Sequence, residues 1–184
     1  TSKMLNLFAT GIPQEITAVL NNRDQRVELQ NQLVADASQT QSVVALKLNI
    51  PGPIKNNADL TRLFLAGLAA FKQKLVVVRQ IDWSKSTGPE TFLIVEGSPL
   101  AIKKQAAIFE DRHALGRLFD IDVLIWQSDL QQVQPISRQA LGQPTRRCLL
   151  CEQPAKVCAR SRRHTVAELQ AAINQQYQLF METD

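Results

Sequence analysis

From Phe119 to Trp126 apolar and polar side chains alternate, which limits this part of the chain to an extended strand with two unlike faces. Phe119, Ile121, Val123 and Ile125 form an unbroken apolar row suited to a core, while Leu118, Asp120, Asp122, Leu124 and Trp126 point the other way. Two carboxylates therefore stand on one face, about 6–7 Å apart at the backbone. At that spacing they repel by on the order of a few kcal/mol at a surface-like dielectric, unless a cation or water intervenes. Asp-x-Asp on a strand is a common way to hold Mg²⁺ against a polyphosphate. A solvated strand face is the competing reading, and the tripeptide alone fits both. Gly116 and Arg117 just upstream add bare backbone and a guanidinium, both useful near phosphate.

The segments before this strand fall into a regular order. Pro13 suits a first helical position, and Ile16, Leu20, Val27 and Val34 make a loose helical stripe, with Arg23 and Arg26 three apart on one face. On spacing alone those two arginines are solvated. Val43 to Ile50 reads as a strand ending in the stiff turn Pro51-Gly52-Pro53. Asn57 caps a helix with Leu60, Leu63, Phe64, Leu68, Phe71 and Leu75 on its inner face. Val76 opens a second strand, Thr87-Gly88-Pro89 is a turn, and Phe92 to Val95 is a third strand. Ser98-Pro99 starts a helix with Ile102, Ala106 and Phe109 inward. Val43 to Trp126 is thus β-α-β-β-α-β, an α+β chain of the ferredoxin-like split type. Both helices are expected on one sheet face, leaving the other, with Asp120 and Asp122, open. A short strand follows within residues 129–138, and Thr165 with Glu168 forms a capping box opening a last helix that carries Val166, Leu169, Ile173, Tyr177 and Phe180. The expected organisation is one domain over 1–184: an N-terminal helical segment (1–41), the α+β core (42–138), a basic cysteine-bearing segment (139–164) and a C-terminal helix (165–184).

Composition matters mainly through where the charge lies. Residues 138–164 hold seven Lys/Arg (Arg138, Arg146, Arg147, Lys156, Arg160, Arg162, Arg163) and one acid, Glu152, whereas the remainder carries 14 Lys/Arg against 16 acids. Basicity confined to one segment points to a local polyanion site, with a solvated basic face or a nucleic-acid contact as the rival readings. Few aromatics and no nucleic-acid motif count against the last. Cys148-x2-Cys151-x6-Cys158-x5-His164 has the first half of a Cys₃His zinc site and an irregular second half; three reduced, packed thiols are the alternative. Clustered, odd-numbered cysteines suit a reducing cytosol. No run approaches the ~20 apolar residues of a membrane span, and no secretory signal is expected at the start of the chain, where Thr1 to Gly11 reads as a lead-in of a trimmed sequence.

Two long motifs carry a resemblance. His113-Ala-Leu-Gly-Arg-Leu-Phe-Asp-Ile-Asp-Val123, with Arg146-Arg-Cys-Leu-Leu-Cys-Glu-Gln-Pro-Ala-Lys-Val-Cys-Ala-Arg-Ser-Arg-Arg-His164, closely resembles the apo-citrate lyase phosphoribosyl-dephospho-CoA transferases, also called holo-acyl-carrier-protein synthases of citrate lyase. Arg23-x-x-Arg26, Pro51-Gly-Pro-Ile-Lys55, Thr87-Gly-Pro-Glu90 and Ser137-Arg138 look like further landmarks of that family, in the expected order. Ala114 stands where the family pattern has Pro, and Phe119 where it has Trp; neither change removes a polar group.

The resemblance implies a cytoplasmic bacterial transferase. It would move 2′-(5″-triphosphoribosyl)-3′-dephospho-CoA onto a serine of the citrate lyase acyl carrier (γ) subunit and release diphosphate, by nucleotidyltransferase-like chemistry. Asp120 and Asp122 would hold Mg²⁺ at the attacked phosphate and Arg117 would stabilise developing charge. His113, Gly116, Arg146, Arg147, Lys156, Arg160, Arg162, Arg163, Lys55, Arg23 and Arg26 would bind the substrate. Asp-x-Asp is also similar to the metal motif of polymerase-β-like nucleotidyltransferases; their Gly-Ser element and third acid have no counterpart here, so that likeness concerns chemistry and not fold. The alternatives are the equivalent transferase for the malonate decarboxylase carrier and a zinc-stabilised nucleic-acid-binding module.

Overall fold

The apolar row beginning at Phe119 does form a strand, and the rest of the chain is layered on its two sides. The computed structural model describes residues 5–183, so the first four positions of the expected lead-in lie outside it. In chain order come α1 (Ile16–Asp36), β1 (Gln41–Leu48), α2 (Ala58–Lys72), β2 (Val77–Lys85), β3 (Gly88–Glu96), α3 (Pro99–Arg112), β4 (Phe119–Gln127), β5 (Gln132–Pro135), α4 (Ala155–Ser161) and α5 (Val166–Thr183). The strands make one antiparallel sheet in the order β2-β3-β1-β4-β5. The class is α+β, as the sequence indicates.

One sheet face is covered by α2, α3 and α5. Val44 and Leu46 of β1, Leu93 and Val95 of β3, and Phe119, Ile121 and Val123 of β4 meet Leu60, Leu63, Phe64, Phe71, Ile102, Ala106, Phe109, Ile173 and Tyr177. Burying a side chain of this size contributes roughly 1.5–3 kcal/mol each, so this layer dominates stability. The expected caps are in place. Asn57 Oδ1 accepts from Leu60 N at 2.9 Å, and Thr165 and Glu168 exchange bonds of 3.1 and 2.7 Å.

The other face is not left open, which corrects the expectation. Leu29, Leu33 and Val34 of α1 pack over Val43, Ala45, Phe92, Ile94 and Leu124. The reason is a misassigned helix face. Ile16, Leu20 and Val27 of the expected stripe are 77, 49 and 47% exposed, whereas the inward row is Asn22, Arg26, Leu29 and Leu33. Two polar residues at the start of that row hide it from a reading based on hydrophobicity. The helix also begins at Ile16 rather than Pro13. β3 begins at Gly88, because Gly88 and Pro89 pair with Lys85 and Ser84 beyond a two-residue turn instead of breaking the strand. Leu118 belongs to a 3-10 turn (Gly116–Leu118) before β4, and is buried in the first core rather than lying on the aspartate face. Among the described residues no helix is long and apolar enough to cross a membrane.

Candidate active site

Strand register builds a row of charges under the N-terminal half of α1. Asp120 on β4 lies opposite Lys47 on β1, and Lys47 in turn lies opposite Glu90 on β3. The three share one face, with Glu90 and Asp120 roughly 10 Å apart at the backbone by strand spacing. Asp122 follows on the same face, opposite Ala45. The two ends of the row are treated differently. Glu90, 3% exposed, takes Asn22 Nδ2 at 2.7 Å and Arg26 Nε at 2.5 Å, so its carboxylate is already occupied. Asp120 receives Lys47 Nζ at 2.5 Å, in a pair about one-third exposed on each side, and the two aspartates remain accessible to a ligand.

Burial raises both aspartates, and the Lys47 pairing of Asp120 divides them. Burial pushes Asp120 upward, but the charge and hydrogen bond of Lys47, with smaller contributions from Arg146 and Lys103, more than offset it and hold this carboxyl below its ordinary value. Asp122 has no such direct partner. Burial first, then the Asp120 charge, pushes it up to about 6. One carboxylate is thus paired and readily ionised, while its neighbour loses its proton only near pH 6 and at a cost. That division is how interacting acids acquire different roles.

Cations surround the pair. Lys47, Arg146 and Lys103 act on it directly, and Lys47 also lines an adjoining narrow cleft, with Arg26, Lys55, Thr87, Gly88, Pro89 and Glu90, that does not include the aspartates. Lys55 donates to Ile50 O at 2.8 Å; its own burial, and then the charge of Lys47, lower its pKa. The Thr87 hydroxyl is buried there without a protein partner. Lys103, 5% exposed on α3, reaches the bare edge of β4 and donates to Ile121 O at 3.3 Å, while buried Glu110 accepts from Ile121 N at 2.9 Å. Lys47, Glu90, Asn22 and Lys103 carry no signal in spacing alone. Lys47 is detectable only once the polar phase of β1 is aligned with that of β4.

The basic C-terminal segment is only partly drawn to this site. Arg146 is. Its Nη2 donates to Phe119 O at 2.6 Å, Arg117 O at 2.8 Å and Gly116 O at 3.3 Å, which fixes the start of β4 and places positive charge near Asp120. Arg117 donates to the carbonyl of Arg147 and lines, with Asp111, Arg138, Arg146 and Arg147, a neighbouring cleft of about 260 Å³ that does not include the aspartates. Arg147 is exposed and paired with Glu152. Lys156, Arg160, Arg162 and Arg163 lie exposed on and just after α4, an element the sequence does not announce.

Three further expected site residues have other placements. Arg23 projects from the outer side of α1. His113 caps α3, stacks on Phe109 at 4.6 Å between ring centres and borders a separate cavity with Phe180. Gly116 is required by packing, since a Cβ there would lie 2.0 Å from Phe109 O. Finally, the ligating atoms of Cys148, Cys151, Cys158 and His164 all lie within 4.8 Å of one another.

Comparison with known proteins places the whole arrangement in context. The profile of a family described as apo-citrate lyase phosphoribosyl-dephospho-CoA transferase matches residues 14–180. A probable enzyme of that description from Streptococcus pyogenes is 32% identical over 180 residues, covering 96% of this chain and 92% of its own length. Another, from Citrobacter koseri, is 34% identical over 169 residues, 88% of this chain and 87% of the relative. Protein CitXG of Leuconostoc mesenteroides subsp. cremoris is 34% identical over 174 residues, and there the chain spans 36% of a longer protein.

Proposed function

The chain belongs to the apo-citrate lyase phosphoribosyl-dephospho-CoA transferase family, and from that premise we propose that it attaches 2′-(5″-triphosphoribosyl)-3′-dephospho-CoA to a serine of the citrate lyase acyl carrier subunit, in the cytoplasm, with release of diphosphate. The observation that carries the mechanism is the unequal aspartate pair on β4, bordered by Lys47 and Arg146, with Lys55 beyond Lys47 in the adjoining cleft. The strand order β2-β3-β1-β4, with α2 and α3 as the crossovers, supports reading the core as the ferredoxin-like split, extended by β5 into a single transferase domain.

Asp120 and Asp122 fit a divalent cation. Both are hard oxygen donors on one strand face, and the repulsion that lifts Asp122 is relieved when positive charge lies between them. Bound there, Mg²⁺ would lower the charge of the attacked phosphate. The residues supply the rest. The serine hydroxyl attacks the phosphorus nearest the ribose, a phosphodiester bond forms, the bond to diphosphate breaks, and the hydroxyl proton passes to a carboxylate of the pair. Lys47, released from Asp120 as the substrate enters, and Lys55 face the growing negative charge of the leaving group. Arg146 holds the Phe119 carbonyl, and so the backbone that aims Asp120. Arg117, Arg147 and the α4 cations extend the positive surface toward the remainder of a long anionic substrate.

The test is incubation of the protein with the apo carrier, the triphosphoribosyl precursor and Mg²⁺, with the malonate decarboxylase carrier in parallel. The carrier of citrate lyase should gain the mass of the prosthetic group. An unchanged mass overturns the reading, and modification of the malonate decarboxylase carrier alone redirects it.

A further inference from the structure

We propose that Cys148, Cys151, Cys158 and His164 bind one structural Zn²⁺, which fastens the strand-like segment carrying Arg146 and Arg147 to α4. This inference stands apart from the transferase reading, because it concerns what orders this part of the chain.

Four ligating atoms converge without any other apparent cause. Cys151 Sγ is 3.4 Å from Cys158 Sγ and 3.4 Å from His164 Nε2, and the whole set spans no more than 4.8 Å. Tetrahedral zinc with bonds of about 2.0–2.3 Å places its ligand atoms some 3.3–3.8 Å apart. The backbone has the matching form. Cys148 N donates to Gln153 O at 2.8 Å, Arg147 and Pro154 form an isolated antiparallel bridge, and Leu150 N points at Cys148 Sγ at 3.5 Å. Cys148-x2-Cys151 thus sits on a tight knuckle whose amide faces sulfur, an arrangement that favours a thiolate. Cys158, 6% exposed, comes from the first turn and a half of α4, and His164 lies three residues beyond the end of that helix.

Hydrophobic burial accounts for little of this order, with Leu149 only partly buried against the main core. Between residues 143 and 164 Cys158 is the only buried residue, and α4 has seven residues, too few to be stable alone. A closed four-ligand site supplies the missing stabilisation; structural zinc contributes on the order of 10 kcal/mol or more to small elements of this kind. Charge agrees as well. Three thiolates and one Zn²⁺ carry a net negative charge, and Arg147, Arg160, Arg162 and Arg163 stand nearby in sequence to offset it. With all four positions filled by protein, the ion has no place for water or substrate, so its role is architectural.

The experiment uses the full chain purified without chelator. Elemental analysis should find about one zinc per chain. The metal-free, reduced protein should take up one equivalent of Co²⁺ and show the visible absorption of a tetrahedral thiolate complex, which Zn²⁺ then displaces. Cys151→Ser and His164→Ala should each lower zinc content at least fivefold. Because these variants can unfold, the Co²⁺ titration of the unaltered chain decides independently. Protein that contains no zinc and takes up neither metal overturns the proposal, as does a Cys151–Cys158 disulfide in the freshly isolated protein.

Discussion

Lys47 and Asp120 face each other across the β1–β4 ladder, with Nζ and Oδ2 2.5 Å apart in the middle of the charged row. In the free protein the ammonium occupies the place that a cation or phosphate would contest, and it keeps a half-buried carboxylate ionised. Replacing it with a side chain of similar length and no charge separates these effects. Lys47→Met is expected to lower kcat/KM for the nucleotide substrate by about 10²-fold, the scale for losing one positioned charge at a reacting phosphate. Steady-state kinetics on correctly folded protein checks this; unchanged values would reduce Lys47 to a structural partner of Asp120.

The aspartates themselves should be more sensitive than any surrounding cation. Asp120→Asn and Asp122→Asn are each expected to cut turnover by well over ~10²-fold while the circular dichroism spectrum is retained. Near-full activity in either variant would remove that residue from the mechanism.

Glu90 belongs to the same row but performs a different task. Both of its oxygens are engaged, by Asn22 and Arg26, at 3% exposure. Glu90→Ala strands the Arg26 guanidinium over the sheet and leaves Asn22 Nδ2 without its acceptor, and it is expected to cost about 3–5 kcal/mol of stability. Urea denaturation measures it. A loss below 1 kcal/mol would mean that water replaces the carboxylate freely.

How much of this was legible in the sequence follows from what each residue contacts. β4 was legible because strict alternation admits one solution when one face is buried, and α2 and α5 because cap and stripe agree. The inward face of α1 was not. Asn22 and Arg26 point inward only because Glu90 waits on β3, a partner 64 residues from Arg26 that no local pattern reveals. The same holds for the site. Asp120 and Asp122 announce themselves, whereas Lys47 becomes meaningful through register with another strand. The basic segment misled in the opposite direction, since a run of arginines looks uniform in sequence although only Arg146 is turned toward backbone carbonyls beside the acids.

Arg146 and Arg147 are neighbours with unequal surroundings, and they should separate cleanly. Arg146→Ala deprives three carbonyls at the entrance to β4 of their donor and is expected to cost about 2–3 kcal/mol, with a fall in turnover as Asp120 loses its alignment. Arg147→Ala breaks an exposed pair with Glu152 and should change stability by less than ~1 kcal/mol. Its effect, where there is one, belongs in KM. Equal melting temperatures for the two variants would contradict this division.

Stability should also depend on pH through Asp122, with a sign opposite to that of a paired carboxylate. Its folded value of about 6 exceeds the ordinary unfolded value near 4, so between about pH 4 and pH 6 the folded chain holds a proton that the unfolded chain has lost. Stability therefore falls as pH rises through that window, and the full penalty is present at pH 7–8. Asp120, held low by Lys47, contributes in the contrary sense: its stabilisation is present above its unfolded value and disappears as pH falls through its folded one. The two windows do not coincide. Asp122→Asn is expected to stabilise the protein at pH 8 by about 1–2 kcal/mol, to leave it nearly unchanged at pH 4, and to abolish activity. Mg²⁺, which favours the carboxylate form, should stabilise the unaltered protein more at pH 8 than at pH 5, and the asparagine variant much less at either. Urea midpoints at the three pH values, with and without Mg²⁺, provide the comparison. A variant less stable than the parent at pH 8 would show that Asp122 is ionised and satisfied in the free fold, with no strained acid for a cation to relieve.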